Sequence, residues 1–223
     1  MRADGEEGRQ SPRLILASAS PARAATLRAA GFEPSIMVSN VDETAQLNQA
    51  LTQNPGLEAA EQVLVLAKAK AKAVAATVGP ALVLGCDSML ELAGQVLGKP
   101  SGPSEAFDRI KQQAGRQATL HTGHCLINTA PGSAAYPTQV QDTASALVRF
   151  GAMTDQEIWA YINTGEPLAV AGAFTIDGFG GPFIESIDGD PHAVVGLSLP
   201  MLRHLLGRLG LSVMDLWRPG LGL

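Results

Sequence analysis

The chain has 223 residues, a net charge of −5, a pI near 5.3 and 46% apolar residues. That is enough for one large domain needing no staples, since a chain this long buries roughly 70% of its unfolded surface. The acidic balance argues against duplex nucleic acid as a partner, and no apolar run approaches the ~20 residues that span a bilayer. Cys86 and Cys125 each sit inside an apolar run, and neither belongs to a C-x-x-C pair. This argues against a zinc site or a disulfide framework and for buried, reduced thiols.

The opening residues, MRADGEEGRQSPR, are charged and have no apolar h-region. Residues 1–12 are therefore expected to be a mobile tail rather than a secretory signal, and the protein to be cytoplasmic with no membrane partner. Leu14 to Ala17 is a strand candidate. Ser20 suits an N-cap and Pro21 the first helical position, giving a helix to about Ala30 with Gly31 as its C-terminal stop. Ser18, Ser20 and Arg23 then gather at a helix N-terminus that follows a strand, a combination that suits an anion. Plain capping, with Arg23 in solvent, explains the same residues. Pro34 to Ser39 is a short strand. Asp42 and Glu43 are expected in a loop, solvated unless the fold carries them to another acid.

Leu57 to Val78 is alanine-rich and free of internal Gly and Pro, hence a long helix. Lys68, Lys70 and Lys72 fan out over different faces of it, so one can enter a cleft while the others meet solvent. The densest chemistry follows. Ala81 to Leu84 is aliphatic enough for a buried strand, expected to end at Gly85 and Cys86 with the lone acid Asp87 next. Met89 to Leu92 is a second short strand that turns at Ala93 and Gly94, returns through Gln95 to Leu97, and leaves through Gly98, Lys99 and Pro100. An acid at the entrance and a lysine at the exit of this hairpin suit phosphate and metal chemistry. An ordinary surface ion pair is the competing reading.

A helix is expected from about Ser104 to Ala114. Two long strands follow, Gln117 to Thr129 and Thr138 to Phe150, joined by the loop 130–137. His121 and His124 lie three apart on the first strand and so point to opposite faces, which argues against a shared metal. Thr154 and Glu157 form a capping box for a helix through Ile162. Ala171 to Phe183, AGAFTIDGFGGPF, is dense in glycine around Asp177, which permits close backbone approach to a flat ligand or simply serves turns. Phe183 to Ile187 is a strand and Leu197 to Leu209 a last amphipathic helix. The order of elements indicates an α/β fold with a mixed sheet. No Walker loop, G-x-G-x-x-G or G-x-S-x-G occurs.

Nine short motifs occur in a family's order: LILASASPARAATL (14–27), VDE (41–43), LAKAKAKAVA (66–75), GCDS (85–88), LGKP (97–100), HTG (121–123), GEP (165–167), AGAFTIDG (171–178) and VVGLSL (194–199). Together they resemble the Maf proteins, nucleotide pyrophosphatases also described as septum formation inhibitors. The resemblance implies a two-lobed α/β fold, with an elongated mixed central sheet flanked by helices, similar to the inosine triphosphate pyrophosphatases. It implies one such domain over residues 13–212, a C-terminal tail over 213–223, and a homodimer. A cleft between the lobes would bind a nucleoside triphosphate, and a divalent cation, Mg or Mn, would be required. Water would cleave between the α and β phosphates, leaving nucleoside monophosphate and pyrophosphate and so cleansing the nucleotide pool. Carried onto this chain, the resemblance makes Asp87 the catalytic carboxylate and Lys70 and Lys99 the lysines facing the triphosphate. Ser18, Ser20 and Arg23 fall in the first motif, and Glu43 joins Asp87 at the cation. Ala22, Ser88, Val170 and Asp177 depart from common family patterns, and they bear on base preference more than on the reaction. Asp177 replaces a glutamine of the pyrimidine branch. An ionised carboxylate accepts only, so it suits the paired N–H donors of guanine, modified guanines included, better than uracil or thymine; a turn role for Asp177 is the alternative. The competing function is a nucleotide-binding sensor of cell division with little turnover, supported by the basic residues lost at Ala22 and Val170.

Overall fold

The structure, a computed structural model, describes residues 12–130 and 138–218. In chain order the elements are β1 (Leu14–Leu16), α1 (Pro21–Ala29), β2 (Ser35–Ile36), α2 (Glu43–Gln53), α3 (Ala59–Ala75), β3 (Leu82–Leu92), β4 (Gln95–Leu97), α4 (Pro103–Gln113), β5 (Gln117–Asn128), β6 (Gln139–Phe150), α5 (Asp155–Asn163), β7 (Ile184–Asp188), α6 (Pro191–Val195) and α7 (Leu199–Arg208). One mixed sheet runs β2-β1-β3-β5-β6-β7, with β4 paired to β3. β1 is parallel to β2 and β3; every other pairing is antiparallel. Helices flank this sheet, so the α/β expectation holds. Among the described residues no helix is long and apolar enough to cross a membrane.

Two apolar clusters divide the sheet lengthwise. One joins β1, α1, the start of β3 and α7 through Leu16, Leu27, Leu84, Leu202 and Leu205. The other joins the far half of β3 to β5, β6 and Phe174, with Phe150 and Phe174 edge to face at 4.9 Å. α4 and α5 pack beside it around Ile110, Ile158 and Tyr161.

Local chemistry accounts for the element ends. Ser20 caps α1 by accepting from Arg23 N at 3.4 Å, with Pro21 at the first turn. Thr154 and Glu157 cap α5 reciprocally. Ala93 and Gly94, both at positive φ, make the tight turn between β3 and β4.

Several boundaries differ from the sequence reading. The first is β3, which neither ends at Gly85 nor restarts at Met89. It is one strand of 11 residues, paired to β5 from Leu82 through Glu91, with Asp87 near its middle. Gly85 is there for close packing. A Cβ on it would lie 2.2 Å from Ala67 O, and one on Gly123 of β5, which pairs with Asp87, would lie 2.6 Å from Val63 O. α3 therefore rests on two side-chain-free positions of β3 and β5. The second is the acidic stretch at 42–43, expected as a loop. Asp42 caps α2 by accepting from Ala45 N at 2.9 Å, and Glu43 opens that helix. The third is the C-terminal stretch expected as a tail from 213. Val213–Leu216 forms a 3-10 turn, Leu216 is buried, and Trp217 pairs with Phe32, because these side chains complete the first apolar cluster. The expected N-terminal tail, apart from residue 12, and the loop 131–137 lie outside the described residues.

Candidate active site

A cleft of about 570 Å3 lies between the two halves of the sheet, where β1 has ended and β4 has not yet begun. Its lining includes all eight site residues expected from the sequence: Ser18, Ser20, Arg23, Glu43, Lys70, Asp87, Lys99 and Asp177. They come from six separate stretches of chain.

The centre is a buried ion pair with a third, exposed acid at its rim. Asp87 projects from mid-β3 toward α3, where Lys70 Nζ donates to its Oδ1 at 2.5 Å. The same ammonium lies 2.8 Å from Glu43 Oε1, presented by the first turn of α2. Lys70 and Asp87 are each only 7% exposed. Of the three alternating lysines, then, Lys70 is the one that enters the cleft; Lys68 is half-buried and Lys72 exposed. Burial raises the Asp87 carboxyl above the ordinary range, against the pull of Lys70 and Arg23 and with a further push from Glu43. A carboxylate so placed is a stronger base than one in water. Lys99 is exposed at the cleft and has no ion-pair partner among the described residues, so the hairpin acid and lysine do not pair with each other.

Arg23 anchors the opposite wall. Its Nε donates to Gly196 O at 2.7 Å, its Nη1 to Ser18 Oγ at 3.1 Å and its Nη2 to Ser88 Oγ at 3.0 Å. Thr122 Oγ1 donates to Ala193 O at 2.8 Å, so its one proton is committed, and in its 2.8 Å contact with Ser88 Oγ the serine donates. A directed chain thus runs from Arg23 through Ser88 and Thr122 to the backbone of α6. Ser18 also accepts from Ser20 N at 3.2 Å. The first motif both caps α1 and fixes a guanidinium at the cleft.

The glycine-rich wall is organised by a residue that sequence reasoning missed. Glu166 accepts from Tyr161 Oη, Thr175 Oγ1, Phe179 N and Gly180 N. Burial would raise its carboxyl, but the hydrogen bonds from Thr175, Phe179, Gly180 and Tyr161 hold it below the ordinary range. The available signal was a lone acid, in GEP, just ahead of a stretch rich in unpaired glycine amides. Because Glu166 satisfies the turn, Asp177 makes no hydrogen bond among the described residues and stands exposed at the cleft.

The remaining candidates from the sequence stay apart. His121 contacts Ser145 at 2.8 Å and Glu91 at 3.1 Å on one face of the sheet. His124 is wholly buried on the other, accepting from Ser198 N at 2.9 Å. Burial lowers His124 to about 4 and pushes Cys86 to about 12 and Cys125 to about 11, so the imidazole is neutral and both thiols protonated near neutral pH. Glu43 and Asp87 converge on one cation, Lys70, and among the described residues no group of three or more His, Cys, Asp or Glu joins there. Two convergent carboxylates fit a hard divalent ion that keeps several waters and shares phosphate oxygens, rather than an all-protein cage.

A model of the family described as "Maf-like protein" matches residues 13–209. Among curated relatives, a protein of Streptomyces coelicolor named "Nucleoside triphosphate pyrophosphatase" is 53% identical over 209 residues, covering 93% of this chain and 95% of its own. Proteins of the same name from Salinispora tropica and Nocardia farcinica are 50% and 48% identical, covering 93% and 92% of this chain and 88% and 96% of their own.

Proposed function

This chain belongs to the Maf-like protein family, and on that premise we propose that it is a nucleoside triphosphate pyrophosphatase dependent on a divalent cation. The observation that carries the reading is the convergence of Lys70, Asp87 and Glu43 in one cleft with Arg23 and Lys99. Three cationic and three anionic side chains line that cleft, so its own charges nearly cancel. A triphosphate brings several negative charges, and an added divalent ion is the natural complement. Asp87 and Glu43 would hold Mg or Mn, which would supply charge neutralisation on the phosphates. Lys70 and Lys99 face the triphosphate, and Arg23 with the Ser18 and Ser20 turn fixes the wall beside it. Asp87 takes a proton from the water that is split across the bond between the α and β phosphates.

The base preference follows from Asp177, whose carboxylate is free to accept from a ligand. It favours guanine-type and modified purine triphosphates over uridine and thymidine triphosphates. The reading includes a homodimer in the cytoplasm, which light scattering and cell fractionation check.

Incubation with a panel of triphosphates and Mg or Mn, with products resolved by anion exchange, is the test. Monophosphate and pyrophosphate are expected; diphosphate and orthophosphate would reject the bond assigned. Nucleotide binding without metal-dependent turnover would instead favour the regulatory sensor. For the base, Asp177→Gln should shift the kcat/KM ratio of guanosine to uridine triphosphate toward uridine. An unchanged ratio removes Asp177 from base reading.

A further inference from the structure

The sheet has a gap at the cleft. Within β3 the even-numbered residues turn their N–H and C=O toward β1 and β4, and the odd-numbered ones toward β5. The bonds that fix this parity are Leu82 N to Arg13 O and Ala17 N to Leu84 O, both 2.8 Å. On the same edge β4 pairs from Leu90 onward. Between Leu84 and Leu90, Cys86 and Ser88 therefore face an edge with no strand beside it, and among the described residues their backbone groups have no partner there. Cys86 is wholly buried and does not line the cleft, whereas Ser88 is half-buried and does. The Ser88 hydroxyl is already committed, accepting from Arg23 and donating to Thr122. What Ser88 offers a ligand is its main chain: one donor and one acceptor, side by side and aimed the same way. A buried or half-buried pair of this kind is normally satisfied.

We propose that this gap is closed by the substrate, with the Ser88 N–H and C=O pairing with the edge of the nucleobase as the missing strand would. The inference rests on the pyrophosphatase reading and adds to it a base contact made by backbone. An extended residue bonds a neighbour through both groups at once, so its partner must place an acceptor beside a donor. Phosphate oxygens only accept, and would leave the Ser88 carbonyl unpaired. Every nucleobase carries the required couplet on its Watson–Crick edge: an N–H beside a carbonyl in uracil, thymine and guanine, an amino group beside a ring nitrogen in adenine and cytosine. Met89, Leu120, Phe174 and Val194 supply apolar walls for a flat ring in the same cleft. A couplet shared by all bases positions the ring without choosing it; in guanine it takes N1–H and O6 and leaves the 2-amino group, which uracil and thymine lack, for a side-chain acceptor such as Asp177.

The test is residue-resolved amide exchange by NMR on the full chain. In the free protein the Ser88 amide should exchange ~100-fold or more faster than those of Asp87 and Met89, which pair with β5. Equal protection would mean that the gap is already bridged, and the proposal fails. An α,β-methylene nucleoside triphosphate, which resists cleavage at the assigned bond, should slow Ser88 exchange about 10-fold or more, and so should the nucleoside alone at saturation. Inorganic tripolyphosphate should leave it unchanged; protection by tripolyphosphate would assign the gap to phosphate and overturn the base contact. If calorimetry shows the analogue bound and the product assay shows pyrophosphate, but Ser88 exchange does not change, this inference falls while the pyrophosphatase reading stands. If the analogue does not bind and no triphosphate is cleaved, both fall. Ser88→Ala, which keeps the backbone couplet, should retain the analogue's protection at position 88; its loss there would place recognition in the hydroxyl instead.

Discussion

Gly123→Ala probes how the fold delivers Lys70 to Asp87. Gly123 has ordinary strand φ, so alanine is tolerated by the backbone and the whole effect is steric. The added Cβ would sit 2.6 Å from Val63 C and O and 2.8 Å from Leu64 N, all backbone atoms of α3. Ordinary contact needs about 1 Å more, and a helix backbone cannot give way as a flexible side chain does. Overpacking of this kind costs roughly 1–3 kcal/mol and occasionally more, and we expect about 3 kcal/mol. For a chain of this size that lowers Tm by about 6–12 °C. The shift also lifts α3, and with it Lys70, from the 2.5 Å contact with Asp87. Misplacement by 1 Å at a reacting centre costs up to ~100-fold, so kcat/KM should fall by about that factor beside the Tm change. Urea and thermal unfolding measure the first, and the product assay the second. Gly79→Ala is the control, because nothing lies within 4 Å of its Cβ position, and it should stay within about 0.5 kcal/mol of the parent. A Gly123→Ala protein with a Tm within 1 °C of the parent would show that α3 is not seated backbone to backbone on the sheet.

Asp87→Asn should fold and lose about 10²–10⁴-fold in kcat/KM, as expected for a positioned base; activity within threefold of the parent would remove Asp87 from the chemistry. Glu166→Ala strips the acceptor from Phe179 N and Gly180 N. It should cost about 1–3 kcal/mol in urea unfolding, and an unchanged midpoint would refute its organising role. His124 sets an acid limb of stability. Its folded value, about 4, lies below the ordinary 6.5, so between these values the unfolded chain takes up a proton that the folded one refuses. Stability therefore falls as pH drops from 6.5 to 4, by about 3 kcal/mol in all at ~1.4 kcal/mol per unit. His124→Gln should flatten that limb, and an unchanged slope would assign it to other groups.

What the sequence displays, and what it hides, follows from the range of the interactions. The α1 cap at Ser20 and Pro21, the α5 box at Thr154 and Glu157, and the Ala93–Gly94 turn are local, and local residues announce them. β3 reads as two short strands because Gly85 looks like punctuation along the chain, whereas its role is set by a helix that begins 26 residues earlier. α2 is hard to see in the sequence because its apolar stripe is short and only half-buried, Leu47, Ala50 and Leu51 among polar residues. All eight candidate site residues meet in one cleft, yet their pairing was not readable. The chain order suggests an ion pair between Asp87 and Lys99 only as the competing reading of the hairpin, and the fold pairs Asp87 with Lys70.

The mid-strand position of Asp87 makes the ion cluster mechanically uneven. Its main chain is clamped to β5 on one side, with paired stretches of β3 before and after it, so the carboxylate can swing only about its own two side-chain torsions. Lys70 reaches it through four methylenes, and Glu43, 52% exposed, sits on the first turn of a helix held by half-buried side chains such as Leu47. Compliance in the cluster is thus concentrated in the two partners. When an arriving charge enters, Asp87 keeps the position the sheet gives it, and Lys70 and Glu43 are the groups that rearrange around it.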